Sequence, residues 1–320
     1  MHADLAITGG EILTMTDVGT VPLGTVLIRG NRILAVGPEE ELGPYTATRT
    51  LDAQDRVVLP GFSNCHTHIG SNVLLRGLNE DAKLFEWLAS MWRLKQNFDH
   101  ETLRLASLVG LAEMALAGIT SFNEHFDAYS VQPEISALGD IPLRATLGYG
   151  FADIGLYDAA AAWSYRALDS FGEIVDAHHG RQHGRLRVAL SPHATYSCTE
   201  KLWRRCAEVA AQYELTIHTH LSEGQQEHRF VREHYAQTPT AWLHSLGLLD
   251  ANLTAAHCTT LTDADIELMA ATDVKVAHCP ISNAKLCSGI MPIRKLLAAG
   301  VTVGLATDGP ASHNTLDMFQ

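Results

Sequence analysis

"RVVLPGFSNCHTHIG", residues 56–70, is the stretch whose reading decides the fold. A β-prone apolar run passes through Pro-Gly and continues into two histidines, His66 and His68, on either side of Thr67. Side chains alternate across a strand, so residues two apart point to the same face. Two imidazoles aimed at one point from a strand end are half of a metal site or a surface accident. The rest of the chain decides which.

From Val57 onward, apolar strand-like runs alternate with longer helical stretches. The expected strands are 57–64, 119–124, 143–148, 186–191, 215–221, 253–257, 273–277 and 301–307. The intervals between them hold apolar residues at helical spacing, as in "DHETLRLASLVGLAEMALAG", residues 99–118. Eight βα units in series over about 250 residues predict a (β/α)8 barrel of the TIM type across residues 60–320. Residues 1–59 have a different texture. "DLAITGGEILTM", "TVLIRGNRILAVG" and "TRTLDAQDRVVLP" are short β-rich runs broken by Gly-Gly and Gly-Asn, read here as hairpin punctuation, and they predict part of a small β-sandwich.

Composition narrows the partners. With 320 residues and 46% hydrophobic content the chain can bury a large core. A net charge of −13 and a pI near 5.7 oppose binding to phosphate backbones or anionic lipid, so neither nucleic acid nor membrane is an expected partner. There is no long apolar run, and Asp4 sits where a signal peptide would be basic and then apolar, which predicts a cytoplasmic protein. Six cysteines without a C-x-x-C pair are expected to be reduced thiols in core positions.

Barrel enzymes assemble their sites at the C-terminal ends of the strands. Here the ends of strands 4 to 8 read "SPHATY" (191–196), "HTHLSE" (218–223), "AAHC" (255–258), "VAHCP" (276–280) and "LATDG" (305–309). With His66 and His68, six strand ends carry His or Asp, and independent accidents do not produce that placement. The ligand assignment is His66, His68, His220 and Asp308 around one divalent metal, Zn²⁺ or alternatively Fe²⁺; three neutral imidazoles and a carboxylate suit either ion and leave a position open for water. A water bound there ionises near a pKa of about 7. Glu223, three residues after His220, is the expected general acid/base, His257 the group that stabilises the tetrahedral intermediate, and Asp308 a proton acceptor as well as a ligand. His193 is expected at the substrate.

His218 shares a strand face with His220, and His220 is preferred because it is nearer the strand's end and pairs with Glu223. His125 and His278 also end strands, but a loop position near solvent explains them equally well, and His178, His179 and His183 read as a solvated loop. A two-metal site is disfavoured because strand 4, "VALSPHA", offers no bridging Lys, Glu or Asp. The P-C-x-x-C of cytidine-type zinc deaminases, the G-x-x-x-x-G-K-[ST] phosphate loop and the G-x-S-x-G elbow are all absent from the sequence.

The set "PGFSNCHTH", "LLRGL" (74–78), "PHATYS" (192–197), "HLSE", "AAHC", "SNAKLCSGI" (282–290) and "TDG" (307–309) resembles the amidohydrolase superfamily, and within it the 5'-methylthioadenosine/S-adenosylhomocysteine deaminases and related aminohydrolases. The resemblance implies the same ligands and catalytic groups, and hydrolytic loss of ammonia from an amino-substituted N-heterocycle. A purine nucleoside such as 5'-methylthioadenosine, S-adenosylhomocysteine or adenosine is the first expectation. A free purine, a pterin, an s-triazine, or hydrolysis of another C–N or C–Cl bond is the alternative. It also implies substrate contacts from Trp92, Gln96 and Tyr149, with Gln96 in place of the family's glutamate and Tyr149 in place of an arginine. Pro310 and His313 stand where the branch has small or amide residues. Relatives are often dimers or tetramers, so a homo-oligomer is expected. They also continue past the point where "TDGPASHNTLDMFQ" stops, so a C-terminal segment is expected to be missing.

Overall fold

The computed structural model of the chain describes residues 1–125 and 131–320, which divide into two compact units, Met1–Phe62 and Ser63–Gln320. The first unit is a sheet of β1 (His2–Leu13), β2 (Thr20–Arg29), β3 (Arg32–Pro38), β4 (Thr46–Asp52) and β5 (Val57–Val58). Its order is β3-β2-β1-β4, with β5 also paired to β1. Gly30, in left-handed backbone at φ 56°, makes the tight β2–β3 hairpin at Gly-Asn possible. Gly9-Gly10 does something else. It lies inside β1, where the register with β2 shifts on both sides of Gly10, so the pair marks an irregularity in one long strand and not a hairpin. A Cβ at Gly10 would lie 2.9 Å from Val58 Cγ2, which is why the residue there is bare. Ala3, Ala6 and Leu27 form one buried cluster of this unit, and Ile12, Val21 and Val26 another.

The second unit is the barrel. Among the described residues its strands are β6 (Phe62–Thr67, beginning at the last residue of the first unit), β7 (Ile119–His125), β8 (Arg144–Phe151), β9 (Leu186–Pro192), β10 (Ile217–Leu221), β11 (Leu253–His257), β12 (Lys275–His278) and β13 (Val303–Leu305). They form one eight-stranded sheet in the order β13 through β6. The single run expected over 57–64 is thus two strands, because Pro60 has no N–H to donate and the chain leaves β1 there to begin the barrel. Between β13 and β6 the seam is closed by short polar contacts: Asp308 N donates to His66 O at 3.0 Å, and Asn64 and Thr307 exchange two hydrogen bonds.

Helices fill the intervals between the strands, and several of their starts are capped by side chains. Asp99 accepts from Thr102 N at the head of His100–Leu116, Thr199 from Leu202 N at the head of Glu200–Tyr213, and Thr262 forms a capping box with Asp265. Glu200–Tyr213 buries Leu202, Trp203, Cys206 and Val209, at about 1.5–3 kcal/mol for each large apolar side chain removed from water. Four of the six cysteines are buried as expected; Cys65 is partly exposed and Cys287 fully so. No helix among the described residues is long and apolar enough to cross a membrane.

Candidate metal centre and active site

β10 reads Ile-His-Thr-His-Leu and every residue in it is buried. A wholly buried strand is ordinarily a run of Val, Ile and Leu, so its two histidines need partners. His220 supplies Nε2 at 3.3 Å from His68 Nε2, and Asp308 Oδ1 lies 3.3 Å from the Nε2 atoms of both His66 and His68. Ligand atoms of His66, His68 and His220 all lie within 4.8 Å of one another.

The other ring nitrogens fix the tautomers. His68 Nδ1 meets the His125 carbonyl, and His220 Nδ1 meets the His193 carbonyl at 2.9 Å. A carbonyl only accepts, so both Nδ1 atoms carry hydrogen, and in the neutral ring each Nε2 presents a lone pair able to ligate. Two lone pairs facing each other at 3.3 Å repel unless a cation lies between them. His66 Nε2 is buried without a hydrogen-bond partner, its contact to Asp308 being close but misaligned. Burial lowers the His66 pKa to about 4 and holds His220 well below its ordinary value, so these rings stay neutral and able to ligate. Burial would raise Asp308, but its contacts with His66 and His68 outweigh that and keep the carboxylate ionised. Gly309 N donates to Oδ1, and Ser282 and Ser312 hydroxyls donate to Oδ2. The donor set fits one divalent cation.

His218 settles its competition with His220 by pointing elsewhere: its Nε2 lies 2.8 Å from His66 Nδ1, behind the imidazole it orients. A second group, His66, His257 and Cys279, also brings ligand atoms within 4.8 Å. Burial raises the Cys279 thiol, which keeps it protonated and a poor competitor for a metal.

Glu223 and His257 face each other beside this centre, with Glu223 Oε1 3.8 Å from His257 Nε2. Burial raises the Glu223 carboxyl. Burial would lower His257, but Glu223, Cys279 and Asp308 outweigh it and hold the imidazole well above its ordinary value. His257 Nδ1 donates to Asn283 Oδ1 at 2.8 Å, leaving Nε2 turned toward Glu223. Glu227, one helical turn on, accepts from the Glu223 backbone N–H at 2.7 Å and from Thr195 at 2.6 Å, and so fixes the loop that carries Glu223. Ser222, His257, Cys258 and Asp308 all adopt left-handed backbone, at roughly 1–3 kcal/mol each for a residue with a side chain. Strain of that kind, gathered at the ends of β10, β11 and β13, is held by the surrounding packing.

His193 reaches the same cavity. Its Nδ1 is 2.8 Å from Ser197 Oγ and its Nε2 3.4 Å from Tyr157 OH, and burial drives its pKa down to about 3. The other expected substrate contacts are not brought there. Trp92 is buried edge-on against Tyr157, Gln96 is exposed at the end of Leu84–Lys95, and Tyr149 packs on Phe171 in the helical layer because its place in β8 turns it outward. Lys95 lines the cavity instead, with Leu84, Trp87 and Leu88 of the same helix. The register of that helix is the signal that could have found it. His125 is not near solvent: it is fully buried, its ring 4.3 Å from His220, because the strand runs one residue further than expected. His278 is half-buried at the end of β12, and His179 accepts from Val188 N outside the site.

Histidine and aspartate converging at the C-terminal mouth of a (β/α)8 barrel define a metal-dependent hydrolase of the amidohydrolase class. The sequence profile of the Amidohydrolase family matches residues 57–320, and the chain belongs to that family. Over 321 residues it is 38% identical to a protein of Methanothermobacter thermautotrophicus named 5'-deoxyadenosine deaminase, covering all of this chain and 72% of that one. A 5-methylthioadenosine/S-adenosylhomocysteine deaminase of Moorella thermoacetica is 39% identical over 97% of this chain and 72% of its own length. A crystal structure of an adenosine deaminase from Xanthomonas campestris with bound zinc superposes with a TM-score of 0.91 at 31% identity, covering 99% of this chain and 72% of that one.

Proposed function

We propose that the chain is a hydrolytic deaminase of a purine nucleoside, with 5'-methylthioadenosine, S-adenosylhomocysteine and adenosine as the substrates to test, and Zn²⁺ as the ion held by His66, His68, His220 and Asp308. The observation that carries the reading is the opposed pair of Nε2 lone pairs on His68 and His220 with Glu223 and His257 beside them. The names of the relatives and the zinc in the solved adenosine deaminase support the substrate class and the ion.

When bound, the divalent ion acidifies a water and acts as a Lewis acid. The chain's own residues do the rest. Water adds to the ring carbon that bears the amino group, and Glu223 takes one proton from that water and delivers it to the adjacent ring nitrogen. Asp308, whose carboxylate is held ionised, accepts the second proton and passes it to the amine, which leaves as ammonia as the C–N bond breaks. His257, fixed by Asn283, donates from Nε2 toward the oxygen that gains charge. His193 contacts the substrate, and Leu84, Trp87 and Leu88 cover its faces and exclude water. The resemblance further supports a cytoplasmic homo-oligomer, a dimer or a tetramer, which light scattering on the purified protein would test.

Ammonia release from the metal-loaded protein across adenosine, 5'-methylthioadenosine, S-adenosylhomocysteine, guanine, pterins and aminotriazines tests the reading. Turnover of at least one nucleoside is expected, and ammonia only from a triazine or a pterin would replace the substrate class. Glu223→Gln is expected to lower kcat by about 10²–10⁴-fold with metal content unchanged. Loss of metal in that variant would make Glu223 a ligand and not the proton carrier.

A further inference from the structure

We infer that Asn72 is a specificity-determining residue: its side-chain carbonyl accepts a hydrogen bond from the amino group that is lost, so the site favours an amine over a leaving group that cannot donate. This deepens the deaminase reading and rests on it for the identity of the compounds. Asn72 lies in the short helical turn Ser71–Leu74, close behind His68, and lines the cavity with His68, Glu223 and Asp308. The residue is 1% exposed, and its Oδ1 is a buried acceptor with no hydrogen-bond partner among the described residues. Buried polar groups are ordinarily paired, so an orphan acceptor in the wall of a binding cavity points to a donor on the ligand. The amide also stands against the loop that carries Asp308. A Cβ at Gly309 would lie 2.9 Å from Asn72 Oδ1, so the residue after Asp308 is bare and the amide packs directly on it.

The amine leaves from this side, since Asp308 is the carboxylate that returns a proton to it. Asp308 has little acceptor capacity to spare: Oδ1 is shared by His66, His68 and Gly309 N, and Oδ2 takes the Ser282 and Ser312 hydroxyls. Two more polar atoms of residues lining the cavity are buried without a hydrogen-bond partner, Trp87 Nε1 and Tyr196 OH. An indole N–H only donates, and the Tyr196 ring packs on Phe85 and His193. Asn72 Oδ1 is therefore the orphan acceptor beside Asp308. An amide oxygen gains a bond from an N–H and is repelled by the lone pairs of a chlorine. A site built around such a bond rejects the analogue that cannot make it, because its own polar group is then left unpaired.

Adenosine and 6-chloropurine riboside form the matched pair. In each, the water oxygen bonds to the ring carbon, one water proton goes to the adjacent ring nitrogen, and the bond to the substituent breaks. Adenosine releases ammonia with the second proton, the chloro compound releases chloride with the bonding pair and the second proton to solvent, and both leave inosine. Inosine formation is followed for the metal-loaded wild type, Asn72→Leu, Asn72→Ala and Asn72→Asp. The ratio of the two kcat/KM values within one sample does not depend on how much of it is folded or metal-loaded, so a merely structural role would not move it. Asn72→Leu and Asn72→Ala are expected to lower the amino-to-chloro ratio by at least about tenfold, and Asn72→Asp, which keeps an acceptor at Oδ1, to hold it within about threefold of wild type. Ratios within about twofold of wild type in both apolar variants overturn the inference and leave the deaminase reading standing. If the wild type forms inosine from neither compound, calorimetric binding of the pair decides: tighter binding of adenosine that Asn72→Ala abolishes would leave Asn72 its role and sink the deaminase reading, and equal binding would sink both.

Discussion

The two mouths of the barrel are both polar, and they differ in how their polar groups are satisfied. At the N-terminal ends of the strands Ser63, Asn64, Ser121, Thr146, Thr254 and Thr302 surround a second cavity. Ser63 and Ser121 bond each other at 2.6 Å. Hydroxyls and amides can donate and accept, so such a cluster can close on itself. At the C-terminal ends the imidazoles of His68 and His220, each with hydrogen fixed on Nδ1, turn their Nε2 atoms toward each other. That arrangement is stable only around a positive charge. Polarity alone therefore marks neither mouth as the site, and neither does one unsatisfied acceptor, since Asn123 Oδ1 is such a group at the lower mouth; the convergence of several imidazoles and a carboxylate on one point does.

The largest expected effect breaks the upper mouth outright. Asp308→Ala removes the carboxylate shared by His66 and His68, and metal content measured by atomic emission is expected to fall to a small fraction of one equivalent, with ammonia release lowered by at least about 10³-fold. Next is the group behind the ligands. His218→Phe keeps the ring's bulk but removes the acceptor for His66 Nδ1, and a competitive chelator titration is expected to show metal affinity about 10–100-fold weaker.

A third prediction contrasts two buried carboxylates. Asp308 has imidazoles and hydroxyls around it and stays ionised, whereas Glu134, fully buried on the helix Gln132–Asp140, is pushed up to about 8 by burial. Between its ordinary value near 4.5 and about 8, the folded chain holds a proton that the unfolded chain has lost. The stability from the neutral carboxyl is therefore fully present at acid pH and is lost as pH rises through about 8. Glu134→Gln removes that loss, so its stability relative to wild type, from denaturant midpoints, is expected to climb between pH 5 and 8.5 by up to a few kcal/mol. A flat difference would mean that Glu134 is ionised in the fold. The smallest effect is at the lower mouth. Ser121→Ala loses one hydroxyl pair and is expected to change stability by about 1 kcal/mol or less and to leave ammonia release within about twofold; a large loss of activity would show that both mouths serve the reaction.

Much of this site was legible in the sequence because a period of two and the strand-end rule act locally. His66-x-His68, His220 before Glu223, His257 and Asp308 each follow a recognisable apolar run, and the eight strands stand within a few residues of their expected places. Register across elements was not legible. Whether His218 or His220 faces the centre depends on the neighbouring strands, and alternation gives both the same face. Choosing Lys95 over Gln96 requires the rotation of one helix about its axis, which is set by how Leu84, Trp87 and Met91 bury. Tyr149 was misplaced for the same reason: one residue along β8 changes a side chain from the barrel interior to the helical layer. The left-handed backbone at Ser222, His257 and Asp308 leaves no mark in composition, since none of the three is glycine. Gly9-Gly10 misleads in the opposite sense, because the same pair that makes a turn also permits a bulge.

The most direct test of the metal centre is to strip the purified protein with a chelator, reload it with Zn²⁺, and measure metal content and ammonia release from 5'-methylthioadenosine on the same samples. One equivalent of zinc per chain, with ammonia release absent in the stripped protein and returning in proportion to the metal bound, is the predicted result. Undiminished ammonia release from the stripped protein, or zinc binding that survives Asp308→Ala at full stoichiometry, would contradict it.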